Sequence, residues 1–157
     1  MHPVHRIMFV CHGNICRSTM AEFVMKDLVK RAGREGGFVI ASSATSTEEI
    51  GNDTHPGTKA ALAAHGVACT RRAAVQLRAS DYDAYDMFVG MDAANVRNMR
   101  RMLKGDPSHK VCKLLEFAEG VDTDSASDVA DPWYTGDFET TYRDVLRGCE
   151  ALLARLR

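Results

Sequence analysis

A single-domain α/β fold, with a parallel sheet covered by helices on both faces, is predicted by three observations. Short apolar runs rich in β-formers recur along the 157-residue chain, at residues 7–10, 38–40 and 87–91 and more weakly at 111–115. The segments between them carry helical periodicity, and that alternation marks βαβ units. No repeat, low-complexity tract or linker-like stretch interrupts it, so residues 1–157 read as one domain. This length buries a core without disulfide or metal staples.

The first strand, Ile7 to Val10, runs directly into Cys11-His12-Gly13-Asn14-Ile15-Cys16-Arg17-Ser18. Packing alone does not ask for that set. In a parallel sheet, ligands collect at the carboxyl ends of strands, and the first strand-to-helix turn commonly meets an anion at the helix N-terminus. Gly13 and Asn14 readily take unusual backbone angles, so the loop can curl with successive N–H groups pointing inward as an anion nest. Arg17 adds a planar fork suited to two oxygens of a tetrahedral oxyanion.

Cys11 would stand at the floor of that nest as a nucleophile. A thiol attacks as its thiolate, so the loop must stabilise the anion. A helix terminus alone supplies about 0.3–2 kcal/mol, and the loop amides, the Ser18 hydroxyl and the Arg17 charge are there to add to it. The same groups would hold a phosphate and its transition state. The bare spacing, a cysteine and an arginine six residues on, is not what carries this reading, because Cys149 and Arg155 repeat it inside a helical pattern. The context carries it: a strand before, glycine and asparagine within, a helix after.

The first helix is expected to start at Thr19, with Glu22 completing a capping box, and to bury Met20, Phe23, Val24 and Leu28. An alanine-rich helix over 56–65 closes at Gly66, and Asp92 can cap another that buries Val96, Met99 and Leu103. The last helix shows Phe138, Tyr142, Val145, Leu146, Cys149, Leu152, Leu153 and Leu156 at spacings of three and four, which makes Cys149 a core residue. Two longer stretches, 42–55 and 119–137, have no obvious structure, and long loops in a compact domain are often functional. In the second, Asp131 could protonate a leaving group, Pro132 stiffens the loop, and Trp133 and Tyr134 could wall an aromatic cleft. The same residues fit a plain turn with surface aromatics, and taken alone they leave both readings open.

Composition narrows the class. Twenty basic against 21 acidic side chains leave no field suited to nucleic acid or an anionic membrane, so any anion site must be local. No segment approaches the roughly 20 apolar residues of a membrane span, and nothing before Ile7 has the layout of a signal peptide, so a cytoplasmic protein is expected. Five cysteines, without CxxC or zinc-type histidine spacing, argue against a disulfide framework or a structural metal.

With CHGNICRS and the later Asp131-Pro132-Trp133-Tyr134 placed, the sequence resembles the low-molecular-weight protein tyrosine phosphatases from Ile7 to Leu156. Further matches, in order, are Ser42 in SSATS, Ile50-Gly51-Asn52, His65-Gly66, Gly90-Met91-Asp92 and Gly136-Asp137-Phe138-Glu139. The resemblance implies a four-stranded parallel sheet of order 2-1-3-4 and dephosphorylation through a cysteinyl-phosphate, without metal or organic cofactor. By position, Cys11 matches the family nucleophile, Arg17 the phosphate-binding arginine and Asp131 the general acid that later acts as base. The phosphate loop spans His12, Gly13, Asn14, Ile15, Cys16 and Ser18; Asn14, Ser18, Ser42 and His65 match the polar network that holds it and stabilises the thiolate. Cys16 matches a second loop cysteine that can pair with the nucleophile under oxidation. His12, Trp133 and Tyr134 fall at the substrate cleft. The implied partner is a phosphotyrosine-containing protein or peptide, with neither nucleic acid nor membrane involved and the protein itself a monomer or weak dimer.

Three departures accompany the match: Thr19 stands where proline is usual, Trp133 where tyrosine is common, and His12 at a variable position. Rival readings are weaker. A thiol-dependent arsenate reductase relays oxidation through cysteines after the third strand, and residues 91–110 contain none. A phosphoarginine phosphatase tends to carry threonine where Ile15 stands. A silent phosphate-binding module would need neither Cys11 nor Asp131.

Overall fold

In the computed structural model, which describes residues 3–157, the first apolar run becomes β1 (His5–Cys11) and lies inside the sheet. It pairs in parallel with β2 (Phe38–Ala44) on one side and β3 (Met87–Gly90) on the other, and β4 (Val111–Lys113) lies beyond β3. The strand order is therefore 2-1-3-4, all parallel. The helices are α1 (Arg17–Arg31), α2 (Pro56–Ala64), α3 (Asp81–Ala84), α4 (Ala93–Met102), α5 (Leu114–Glu119), α6 (Pro132–Thr135) and α7 (Phe138–Arg155). The chain is a single α/β domain.

Both faces of the sheet are buried, which is why β1 reads as a continuous apolar run rather than an alternating one. Ile7 and Phe9 point into the larger core with Met20 and Val24 of α1, Leu114 and Leu115 of α5, and Val145, Cys149 and Leu152 of α7. Met8 and Val10 point the other way, against Val96 and Met99 of α4 and the following Leu103. Phe88 and Val89 of β3 divide in the same manner. Each large side chain fully buried in this way contributes about 1.5–3 kcal/mol. Cys112 and Cys149 belong to the larger core, and burial pushes both thiols up. The cysteines are all free.

Two expectations are corrected. Helix α1 does not start at Thr19: Cys16 is its N-cap, and the chain is helical from Arg17. The loop turns straight into the helix, so the Thr19 hydroxyl donates back to the carbonyls of Ile15 (3.1 Å) and Cys16 (3.2 Å). The Glu22 carboxylate is drawn instead to Ser42 and to Lys26. The weak run at 111–115 is strand only through Lys113, because Leu114 and Leu115 open α5; a short apolar run does not by itself separate strand from helix. Elsewhere Asp92 does cap α4, accepting the Asn95 N–H at 2.7 Å. Among the described residues no helix is long and apolar enough to cross a membrane.

Helix α7 packs on α5 so closely that a Cβ added at Gly148 would overlap the fully buried Leu114 side chain. Replacing glycine inside a helix gains about 1 kcal/mol of propensity, whereas overpacking a core costs about 1–3 kcal/mol. Gly148→Ala is therefore expected to lower stability, read as a smaller denaturant midpoint with an unchanged slope.

Candidate active site

The register of the sheet brings one end of each inner strand together, with Cys11 paired to Ala44 and Val10 to Gly90. Residues 11–18 follow at that edge. Asn14 takes the left-handed conformation, φ 58°, while its side chain is fully buried. The turn it makes aims its own N–H at Cys11 Sγ, 3.3 Å away. Gly13 precedes it where space is short: a Cβ there would lie 3.3 Å from the Glu49 side chain.

The polarity of the Asn14 amide is set by its neighbours. Its Oδ1 accepts from Arg72 Nη2 (2.9 Å) and from the Val75 N–H (3.2 Å). Its Nδ2 donates to Ser18 Oγ (2.8 Å) and Ser42 Oγ (2.9 Å). Ser42 in turn donates to Glu22. Ser18 lies 3.1 Å from Cys11 Sγ. With a lone pair already taken by Asn14, the Ser18 hydroxyl proton is free to face a sulfur anion.

Arg17, also buried, is the charged floor of the site. Its Nη2 lies 2.9 Å from Asp92 Oδ2 and 3.3 Å from Asp131 Oδ2, and Nη1 donates to the Val129 carbonyl at 3.2 Å. Burial works against the charge, but Cys11, Asp92 and Asp131 outweigh it and hold the guanidinium above its ordinary value. Asp131 is itself fixed as the N-cap of α6, its Oδ1 accepting the Trp133 N–H at 3.0 Å. Cys16 contrasts with its loop partner: burial, with the nearby Cys11 and Asp131, pushes its thiol up to about 12. A group so shifted stays protonated at neutral pH.

Above this floor opens a cleft of about 440 Å³ that Cys11, His12, Ile15, Arg17 and Asp131 share with Trp133 and Tyr134. Trp133 and Tyr134, at its edge, are 63% and 85% exposed. His12 sits at the rim with Nε2 2.8 Å from Glu48, and its carbonyl accepts the Ser46 N–H, which ties the segment after β2 to the loop. Glu48, Glu49, Asp92, Asn95 and Asn98 add polar groups to the lining.

Comparison with known proteins agrees with this geometry. The family model for low molecular weight phosphotyrosine protein phosphatase matches residues 6–157. The Bacillus subtilis low molecular weight protein-tyrosine-phosphatase YfkJ is 38% identical, with 96% of this chain and 95% of the relative covered. The chain belongs to this family. The human member is 33% identical over 95% of this chain and 94% of its own. The crystal structure of YfkJ superposes with a TM-score of 0.89 at 37% identity, over 97% of this chain and 94% of that one. That of the Streptococcus pyogenes phosphatase gives 0.85 at 39%, over 98% and 94%. The protein is thus a protein-tyrosine phosphatase acting on phosphotyrosine-bearing proteins.

Of the residues the sequence singled out, the structure gathers Cys11, Asn14, Ser18 and Ser42 in one hydrogen-bonded cluster, with Arg17 and Asp131 beside it. His65 lies outside. It ends α2, stacks on Tyr142 of α7 with ring centroids 3.9 Å apart, and pairs with Glu139 at 2.6 Å. The expectation that it supports the loop is corrected, because Arg72 supplies the donors instead. Arg72 and Asp92 are the residues that sequence reasoning missed. Arg71-Arg72 reads as solvated surface, while Asp92 was legible only as a cap, although its place just past β3 puts it at the ligand edge of the sheet.

Removing Arg72 would leave Asn14 Oδ1 with one donor, and the loss of a buried hydrogen bond to a charged group costs about 1.5–3 kcal/mol. Arg72→Met is expected to lower both the melting midpoint and the affinity for inorganic phosphate, measured as a competitive inhibitor. Unchanged phosphate inhibition would show that the loop holds its shape without this residue.

Proposed function

We propose that the protein hydrolyses phosphotyrosine in proteins through a cysteinyl-phosphate on Cys11. The observation that carries this reading is the convergence on one cleft of Cys11, the buried Arg17 fork and Asp131, the carboxylate 3.3 Å from that fork. The Asn14 N–H, 3.3 Å away, and the Ser18 hydroxyl, 3.1 Å away, both face the Cys11 sulfur. The raised Cys16 thiol, protonated at neutral pH, is unsuited to the same role.

In the first step the Cys11 sulfur attacks phosphorus opposite the tyrosine oxygen. The S–P bond forms as the P–O bond breaks, and Asp131, which takes up a proton from solvent once Arg17 has turned from it to the phosphate, gives that proton to the departing phenolate. Arg17 turns its fork from the carboxylates to two phosphoryl oxygens, and the loop N–H groups hold the rest of the developing charge. In the second step water attacks phosphorus and passes a proton to the Asp131 carboxylate. The S–P bond breaks, phosphate leaves and Cys11 returns to the thiolate. Trp133, Tyr134 and Ile15 give the aryl ring an apolar seat, and a phosphoserine chain is too short to fill it.

Cys11→Ser is expected to abolish turnover while phosphate binding survives in part through Arg17 and the loop amides. Acid quench of the parent enzyme with a labelled aryl phosphate should trap label on Cys11; persistent turnover in the variant would remove Cys11 from the mechanism. Asp131→Asn should lower kcat/KM for phenyl phosphate, whose phenol leaves poorly, by about 10²–10⁴-fold and for p-nitrophenyl phosphate, whose phenol is acidic, far less. An equal loss on both would assign Asp131 a structural role.

A further inference from the structure

Lys113, at the end of the edge strand β4, is almost completely buried, and the chemical steps above do not use it. Its Nζ donates to the Ala126 carbonyl at 2.7 Å and lies 3.0 Å from Asp128 Oδ1. Asp128 Oδ1 also accepts the Ala93 N–H at 3.1 Å, in the first turn of α4. A buried ammonium is costly unless it is paired and hydrogen-bonded, and here both of its partners come from one short segment five and three residues before Asp131.

That segment is tethered at every position. The Ser127 N–H goes to Glu119 (2.8 Å), the Val129 N–H to the Met91 carbonyl (2.8 Å), and the Val129 carbonyl to Arg17 (3.2 Å). The Ala130 N–H goes to Asp144 (3.1 Å), and its carbonyl accepts the Thr141 hydroxyl (2.9 Å). Most of these partners are backbone groups or surface carboxylates. Apart from Arg17, which belongs to the floor of the site, Lys113 is the buried charge among them, and it ties the segment to the sheet.

We propose that Lys113 is a positioning residue for the proton transfer, holding residues 126–128 so that the carboxyl of Asp131 stands at the leaving-group oxygen. This rests on the reading of Asp131 as the general acid. Displacing a reacting group by about 1 Å can lower a rate by about 10²-fold, so an anchor that shares its load with other tethers should contribute less. The signature is selective: chemistry that needs the proton suffers, whereas phosphate binding at Arg17 does not.

The test measures kcat/KM, which reports the step that expels the phenol, for phenyl phosphate and for p-nitrophenyl phosphate, with the inhibition constant for inorganic phosphate, in Lys113→Met, Lys113→Arg and Asp128→Ala. Lys113→Met is expected to lower kcat/KM about 10-fold or more on phenyl phosphate and about 3-fold or less on p-nitrophenyl phosphate, with phosphate inhibition unchanged. Lys113→Arg, which keeps the charge and two donors, should recover most of the loss. Asp128→Ala, at a half-exposed position, should fold even if Lys113→Met does not and should show the same selectivity in smaller degree. Parallel losses on both substrates, a matching rise in the phosphate inhibition constant, or full activity on phenyl phosphate would overturn the proposal. Asp131→Asn in the same assay separates the two ideas: if it lacks leaving-group selectivity the acid assignment fails, and if it has selectivity while the Lys113 and Asp128 variants lack it, only the anchor fails.

Discussion

Asn14 combines a left-handed backbone with a buried amide whose four hydrogen-bonding directions are all taken, by Arg72, Val75, Ser18 and Ser42. For a residue with a Cβ the left-handed form costs about 1–2 kcal/mol. Each net hydrogen bond contributes about 0.5–1.5 kcal/mol, more when the donor is charged, so the four together outweigh the strain. The rest of the site depends on that balance. Only in this turn does the Asn14 N–H meet Cys11 Sγ, and only with Nδ2 against Ser18 is the serine hydroxyl left to face the sulfur.

The sheet determines where this device can act. Because β1 lies between β2 and β3, the loop leaving it is flanked by the ends of both neighbours, which supply Ser42 within β2 and Asp92 after β3. Helices α1 and α4 start at the same edge, so the two residues that face each other across the floor, Arg17 and Asp92, are the first residue of one helix and the cap of the other. The loop that carries Asp131 then has to reach this edge from β4. It does so through side-chain and backbone tethers rather than by strand pairing.

How much of this was legible depended on the range of the interaction. The strands, the long helix α7 and the nest-forming loop follow from local pattern, and Cys11, Asn14 and Arg17 could be named because the chemistry lies within eight consecutive residues. The start of α1 was misplaced because a capping box at Thr19 and Glu22 satisfies the local rule, while the long-range partner Ser42 claims the Glu22 carboxylate. His65 and Arg72 were exchanged for a similar reason. A histidine before a glycine and an arginine between polar and small residues look alike in sequence, and only the path of the chain after α2 decides which of them faces Asn14. Lys113 sits in a strand whose hydrophobic neighbours give no sign that its ammonium finds two acceptors inside the fold.

Asp92 and Asp131 both rest on the Arg17 guanidinium, the group proposed to engage the substrate. The arginine is therefore not a standing positive trap, because its charge is met by the protein's own aspartates. A singly charged carboxylate from the surrounding solution gains little by exchanging with an aspartate that is covalently present at the same spot. A doubly charged phosphate ester brings more charge and a tetrahedral set of oxygens, which the loop amides can engage as well. On the proposed mechanism the two aspartates are thus what an incoming anion has to displace, which favours a phosphate ester over the singly charged anions of the medium.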